Sequence, residues 1–304
     1  MFGPIDIERW MKGRESGLAE VKSQVEAIIA EVKNGGDAAL IELSARHGRA
    51  PIESIAVCDE EIDDAYDRID SALLEAIVEA EARIAEFHAL QRPRDLWLKQ
   101  VEPGVILGVK TTPLERVGAY VPGGRAAYPS TALMCVVPAR IAGVSEVCCC
   151  SPHPIHPATL VALDVAGADE IYRVGGAQAI AAMALGTESI RPVQKIVGPG
   201  NVYVTAAKML LRDHAEIDFP AGPSEIGIVA DETANAEFIA IDILAQAEHD
   251  PQAACILITP SGELAAKVGA HIERLLEASG RRDIMRQALS NSGYLLVRDL
   301  MEAA

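Results

Sequence analysis

The 304 residues carry 44 Asp and Glu against 27 Lys and Arg, a formal charge of −17. No basic patch interrupts this balance, so nucleic acid and anionic membrane surfaces are excluded as partners. Half of the residues are hydrophobic but only 4% are aromatic, a composition that suits buried parallel strands covered by helices. The length exceeds that at which single cores stop growing, so two domains are expected. No apolar run is long enough to span a membrane, and the N-terminus, MFGPIDIERWMKGRES, lacks the apolar core of a signal peptide. A soluble, cytoplasmic protein is therefore expected.

Helices dominate the first third. VKSQVEAIIAEVKNGG has apolar residues at helical spacing and ends at a glycine pair, and DAALIELSARHG follows as a second amphipathic helix. The acid-rich run from Asp59 to Leu90 supplies one or two more. His47 and His88 lie here without partners at ligand spacing, so both read as surface or packing residues. From Trp97 to Val121 the pattern changes to short strands, with Pro113 at a turn or an edge. A domain boundary is expected after them.

PGGRAAYPST then forms a loop, with Pro122, Gly123 and Gly124, ahead of a helix from about Ser130 to Ala142. Strands Val144 to Cys150, Glu170 to Val174, Lys195 to Val197 and Ala215 to Phe219 alternate with helices Pro157 to Ala166, Ala177 to Leu185 and Asn201 to Leu211. This is the rhythm of a doubly wound sheet. VGGAQ (Val174 to Gln178) and VGPGN (Val197 to Asn201) stand at strand exits, where open α/β sheets bind ligands. Neither is the GxGxxG dinucleotide fingerprint, so a nucleotide site and simple tight turns both remain open. His153 and His156, among the prolines of SPHPIHP, read as loop residues. Cys148, Cys149 and Cys150 follow one another in a strand, so their side chains alternate between faces and cannot converge on one metal. They read as small buried hydrophobes.

The stretch from Pro220 to Asp250 concentrates polar residues at its two ends. A Gly-Pro turn (Gly222, Pro223) leads through Ser224 to a strand, Ile226 to Ala230, and a helix from about Thr233 to His249. Gln246 and His249 stand one turn apart, close enough to hold a small object such as a metal ion between them. A histidine also suits any helix C-terminus, so two residues are only half of a four-ligand site. The second alternation continues with strand Ala254 to Ile258, helix Glu263 to Leu276, helix Asp283 to Leu289 and strand Tyr294 to Val297.

With AYVPGG, VGGAQAIAAMALGT, KIVGPGNVYVTAAK, DFPAGPSE and ILAQAEHD in this order, the chain resembles the histidinol dehydrogenase family along essentially its whole length. The resemblance implies oxidation of L-histidinol to L-histidine through the aldehyde, with a hydride passed to NAD in each of two steps, one zinc per subunit and a homodimer. It assigns NAD contacts to Tyr120, Gln178 and Asn201, substrate contacts to Ser224, Gln246 and His249, and zinc ligation to Gln246 and His249. It implies two Rossmann-like α/β/α domains with N-terminal helices. The first, on the zinc and substrate side, is expected from 14–119 with 224–304, and the second, on the NAD side, from 120–223. The family's other two zinc ligands, its acid–base Glu-His pair and its swapped tail are expected beyond Ala304. The resemblance thus assigns no catalytic residue within the chain, and little turnover is expected of these residues alone. The alternatives are a related zinc- and NAD-dependent dehydrogenase of another small primary alcohol, such as a sulfopropanediol, and a non-catalytic NAD-binding fragment.

Overall fold

A computed structural model describes residues 2–46, 52, 54–123, 127–220 and 225–303. In chain order the elements begin with β1 (Gly3–Pro4), α1 (Ile7–Arg46), α2 (Asp59–Asp67), α3 (Ser71–Ala89), β2 (Leu96–Glu102), β3 (Val105–Lys110) and β4 (Arg116–Tyr120). Next come α4 (Pro129–Ile141), β5 (Glu146–Cys150), α5 (Pro157–Val165), β6 (Glu170–Tyr172), α6 (Gly176–Leu185), β7 (Lys195–Val197), α7 (Val202–Leu210) and β8 (Glu216–Ile217). The series closes with β9 (Glu225–Val229), α8 (Ala236–Ala247), β10 (Ala254–Thr259), α9 (Gly262–Glu277), α10 (Arg282–Ser290), β11 (Gly293–Leu296) and α11 (Leu300–Ala303). The class is α/β with mostly parallel sheets, and no described helix is long and apolar enough to cross a membrane.

Helix ends follow local chemistry. α1 is broken at Gly36, which leaves the helical region as the glycine pair in the sequence leads one to expect. Asn201 caps α7, its Oδ1 accepting from the N–H groups of Tyr203 and Val204, and Asn235 caps α8 in the same way toward Glu237 and Phe238. The second cap moves the start of α8 past the expected Thr233. There Asp231 Oδ1 accepts from the Thr233 amide at 3.0 Å and holds a turn instead.

The chain divides into two compact units, one of residues 1–20 with 221–304 and one of residues 21–220. This differs from the expected 14–119 with 224–304 and 120–223. The expected boundary after Ala119 falls inside β4, the middle strand of a five-stranded parallel sheet ordered β6-β5-β4-β7-β8. The run of short strands from 97 to 121 therefore has two destinations. Among the described residues β2 and β3 pair only with each other, as an antiparallel hairpin, while β4 enters the sheet with every residue buried.

The larger unit is wound on both faces of that sheet. One core joins Val25, Val32 and Leu40 of α1 to Ile180 and Met183 of α6, Val204 of α7, and Tyr120, Cys148 and Cys150 of the strands. The other joins Ala65 of α2 and Ile77 of α3 to Leu133 and Val137 of α4, Val161 of α5, and Val117, Ala119 and Cys149 of the strands. The three cysteines alternate between the two cores as the period of a strand requires. Burial pushes the Cys148 thiol up to about 11 and the Cys149 and Cys150 thiols well above their ordinary value. These are packing residues rather than nucleophiles.

At the opposite edge of the sheet from the strand exits, Arg116 reaches Glu146 at 2.8 Å and also Glu170, and Arg191 reaches both carboxylates from outside. The first residues of β4, β5 and β6 are thereby tied together. Burial alone would raise the Glu170 carboxyl, but hydrogen bonds from Arg116, Tyr172 and Arg191 outweigh it and hold Glu170 below the usual carboxylate range.

In the smaller unit a parallel sheet is ordered β1-β11-β10-β9. Ile243 and Leu244 of α8, Val268 and Ile272 of α9 and Met285 of α10 bury against Cys255 and Leu257 of β10. The N-terminal residues belong here. β1 pairs with β11, and Trp10 Nε1 donates to the Asn291 carbonyl at 2.7 Å.

Candidate functional site

In the larger unit the chain leaves β4, adds β5 and β6 on one side, then crosses back to add β7 and β8 on the other. The reversal lies between the C-terminal ends of β4 and β7, which is where open α/β sheets leave a crevice for a ligand. Two of the three side chains expected at a nucleotide meet there. Tyr120 ends β4, and its Oη accepts a hydrogen bond from the Gly176 N–H at 3.0 Å, at the start of α6. Gly176 has φ 74°, and a Cβ built on it would lie 2.7 Å from Gln178 Oε1. The Gln178 carboxamide therefore folds over the glycine, and both Tyr120 and Gln178 are nearly inaccessible, at 4% and 5%. A side chain at position 176 would displace it.

Asn201 stands at the exit of the neighbouring strand β7 but is exposed. Its Oδ1 is committed to the α7 cap at 3.1 Å from both amides, so its amide nitrogen is the group left to face a ligand. Between β7 and Asn201 lies Gly198, with φ 109° and so near Tyr120 that a Cβ would sit 2.1 Å from the Tyr120 carbonyl oxygen. The Gly198 N–H donates to Asp218 Oδ2 at 2.8 Å. Its carbonyl accepts from Lys208 Nζ at 2.5 Å, and Lys208 Nζ also contacts Asp218 Oδ1 at 2.6 Å. A phenol and two carboxamides at a strand-exit crevice suit the hydroxyl and amide groups of a nucleotide. The residues present fit NAD in that chemical sense.

Cys135 of α4 does not join this chemistry as a nucleophile. Burial, aided by the Asp218 carboxylate, pushes its thiol up to about 12. His156 caps α5, its Nδ1 accepting from the Ala158 amide at 3.2 Å, which is the loop role expected of it. His47, Gly124, Gly222, Pro223 and Ser224 lie outside the described residues.

In the smaller unit Gln246 occupies the last turn of α8, Glu248 is its C-cap and His249 follows, its N–H donating to the Gln246 carbonyl at 3.3 Å. Gln246 is half-buried and His249 exposed. Among the described residues no group of three or more His, Cys, Asp or Glu side chains is arranged to hold a metal. Gln246 and His249 offer one carboxamide oxygen and one imidazole, half of a zinc sphere, and do not by themselves fit a closed site. Sequence reasoning passed over the Glu248–His249 dipeptide, the one Glu-His pair in the chain. It also missed Lys208 and Asp218, whose pairing is invisible until the loop between them is folded.

A family model described as histidinol dehydrogenase matches residues 11–304. The histidinol dehydrogenase of Methanothermobacter thermautotrophicus is 51% identical over 93% of this chain and 68% of its own length. That of Methanosarcina mazei is 49% identical over 94% and 67%. The crystal structure of histidinol dehydrogenase from Elizabethkingia anophelis is similar with a TM-score of 0.85 at 36% identity, over 93% of this chain and 66% of that one. The chain thus spans about two thirds of the length of these relatives. By the match along nearly all its residues, its motifs and its shared fold, the chain belongs to the histidinol dehydrogenase family.

Proposed function

We propose that the chain binds NAD at the exits of β4 and β7 and serves the oxidation of L-histidinol to L-histidine through the aldehyde, in the cytoplasm and as a homodimer. The observation that carries this reading is the Tyr120–Gly176–Gln178 arrangement at the crossover of the larger unit's sheet, in a chain of this family. NAD, when bound, would supply the hydride acceptor, one NAD molecule being consumed for the alcohol and a second for the hydrated aldehyde. The residues of the larger unit bind and orient. Tyr120 and Gln178 meet the cofactor with little rotamer freedom left to lose, and Asn201 donates from its amide nitrogen. Ser224, Gln246 and His249 are assigned to the substrate, with Gln246 and His249 also holding one side of a zinc ion. These two donors alone leave the coordination of a zinc ion incomplete. The two protons released with the hydrides need a base, and none is assigned among the described residues; general acid–base help contributes roughly 10²–10⁴ in rate. The same arrangement supports a second reading, NAD binding without turnover.

One experiment separates these readings. NAD binding to the 304-residue chain is measured by calorimetry, and NADH formation from L-histidinol, NAD and zinc is followed with and without a chelator. The expected result is NAD binding with slow, chelator-sensitive turnover. Binding with no turnover at any zinc concentration selects the second reading, and absence of binding overturns both.

A further inference from the structure

We infer that Lys208 and Asp218 are positioning residues for the nucleotide loop, an ion pair whose work is to hold Gly198 and thereby aim Asn201. The inference rests on the NAD reading of that loop and goes beyond it, to side chains that do not touch the cofactor.

Three observations converge. Lys208 is 4% exposed although it carries a charge, and lysine is almost never buried unless it is paired. Its partner is not simply another side chain of a surface pair. The ammonium bonds the Gly198 carbonyl and Asp218 Oδ1, while Asp218 Oδ2 takes the Gly198 N–H, so both polar groups of one residue are gripped by one ion pair. That residue is the one whose backbone is left-handed and pressed against Tyr120, at the ligand edge of the sheet.

The elements that carry the pair explain its reach. Lys208 lies about two turns into α7, on the face that carries Asn201, so its side chain runs back along the helix to the loop that starts it. Asp218 follows β8, and its own N–H donates to the Ile196 carbonyl of β7 at 3.2 Å. The pair therefore fixes the loop to two strands and a helix at once. If Gly198 relaxed toward an ordinary backbone conformation, the peptide would rotate away from Tyr120 and shift Asn201, three residues on. Burying an ion pair adds little net stability compared with an apolar pair of equal volume, which makes specification of the loop a better account of its presence than general stability.

The test compares Asp218→Asn, which keeps the shape and removes the charge, and Lys208→Met with the parent 304-residue chain, using NAD as the probe. Calorimetry gives the NAD dissociation constant, hydrogen exchange reports the amides of Gly198, Gly200 and Asn201, and thermal melts report global stability. The expected result is a dissociation constant raised about tenfold in each variant. Faster exchange should be confined to the loop, and Lys208→Arg should restore part of the affinity. Unchanged NAD affinity in variants whose loop amides exchange faster overturns the positioning role while leaving the NAD reading in place. A lower melting temperature with no change in loop exchange or affinity also overturns it, as the pair would then be structural only. A parent chain that binds no NAD overturns the NAD reading itself, and this inference with it.

Discussion

Two glutamines, Gln178 and Gln246, carry the same carboxamide on two apolar helices, and their surroundings are opposite. Gln178 sits in the first turn of α6, buried and folded over a glycine whose amide is held by Tyr120. Gln246 sits in the last turn of α8, half open to solvent beside an exposed His249. Helix N-termini carry partial positive charge and C-termini partial negative charge. The first setting therefore favours an electron-rich ligand such as a dinucleotide and the second a cation. They differ also in freedom: packing already fixes the Gln178 side chain, whereas Gln246 and His249 would have to lose side-chain freedom to hold a ligand. One carboxamide is built into the core of its unit, and the other stands near the surface of its own.

Breaking the buried surroundings should cost the most. Gly198→Ala places a methyl group against the Tyr120 carbonyl at a backbone angle that L residues rarely adopt. A loss of about 3 kcal/mol is expected, which is roughly 6–12 °C in the thermal midpoint of a unit of this size. A midpoint within a degree of the parent would mean that the loop adapts, and the contrast with Gln246 would collapse.

A smaller effect is expected from Arg173→Met. Arg173 Nη1 donates to Glu61 Oε1 at 2.9 Å and Nη2 to the Ala56 carbonyl at 2.9 Å, joining the end of β6 to α2. The Arg173 hydrogen bond is the main cause holding the Glu61 carboxyl below the usual range. A carboxylate with a depressed folded-state pKa stabilises fully above its unfolded value, near 4.3, and that stability is lost as pH falls through the folded value. Arg173→Met should therefore lower the thermal midpoint by about 2–4 °C at neutral pH, with a gap that closes on acidification below about pH 4. A gap that stays constant down to pH 3 would assign Arg173 a packing role only.

The least effect on stability belongs to the open surroundings. His249→Ala should leave the folding free energy within about 0.5 kcal/mol of the parent, while zinc binding, measured by competition with a chromophoric chelator, falls below detection. Unchanged zinc binding would remove His249 from the half-site.

The alternation of strands and helices was legible because several strands are short apolar runs stopped by Gly or Pro, and capping residues such as Asn201 announce themselves. Pairing was not. Nothing local distinguishes β4, which enters the middle of the five-stranded sheet, from β3, which pairs with β2, and so the boundary expected after Ala119 falls inside a strand. β1 is two residues long and exists only because β11 offers it an edge. The candidate site divides in the same way. Tyr120, Gln178 and Asn201 were named through family motifs, but that the phenol of Tyr120 meets the amide of Gly176 is a fact of chain crossing. Lys208 and Asp218 gave no signal, because a lysine on an amphipathic helix and an aspartate after a strand read as solvated surface. Glu248–His249 stood in plain view within a motif already assigned to other work.

The β2–β3 hairpin bears on how the protein behaves in bulk. Leu96, Leu98, Trp97, Val101, Ile106, Leu107 and Val109 are all exposed, on both faces of a ribbon whose outer edges pair with no described strand. Such a ribbon is sticky at contact range, and its free edges accept further strands. Against it stands the charge of −17, which keeps molecules apart over distances set by the ionic strength. Dilute buffer leaves that repulsion long enough to shield the hairpin, and concentrated salt shortens it while leaving the contact attraction intact. Self-association through the ribbon is therefore expected to rise with ionic strength.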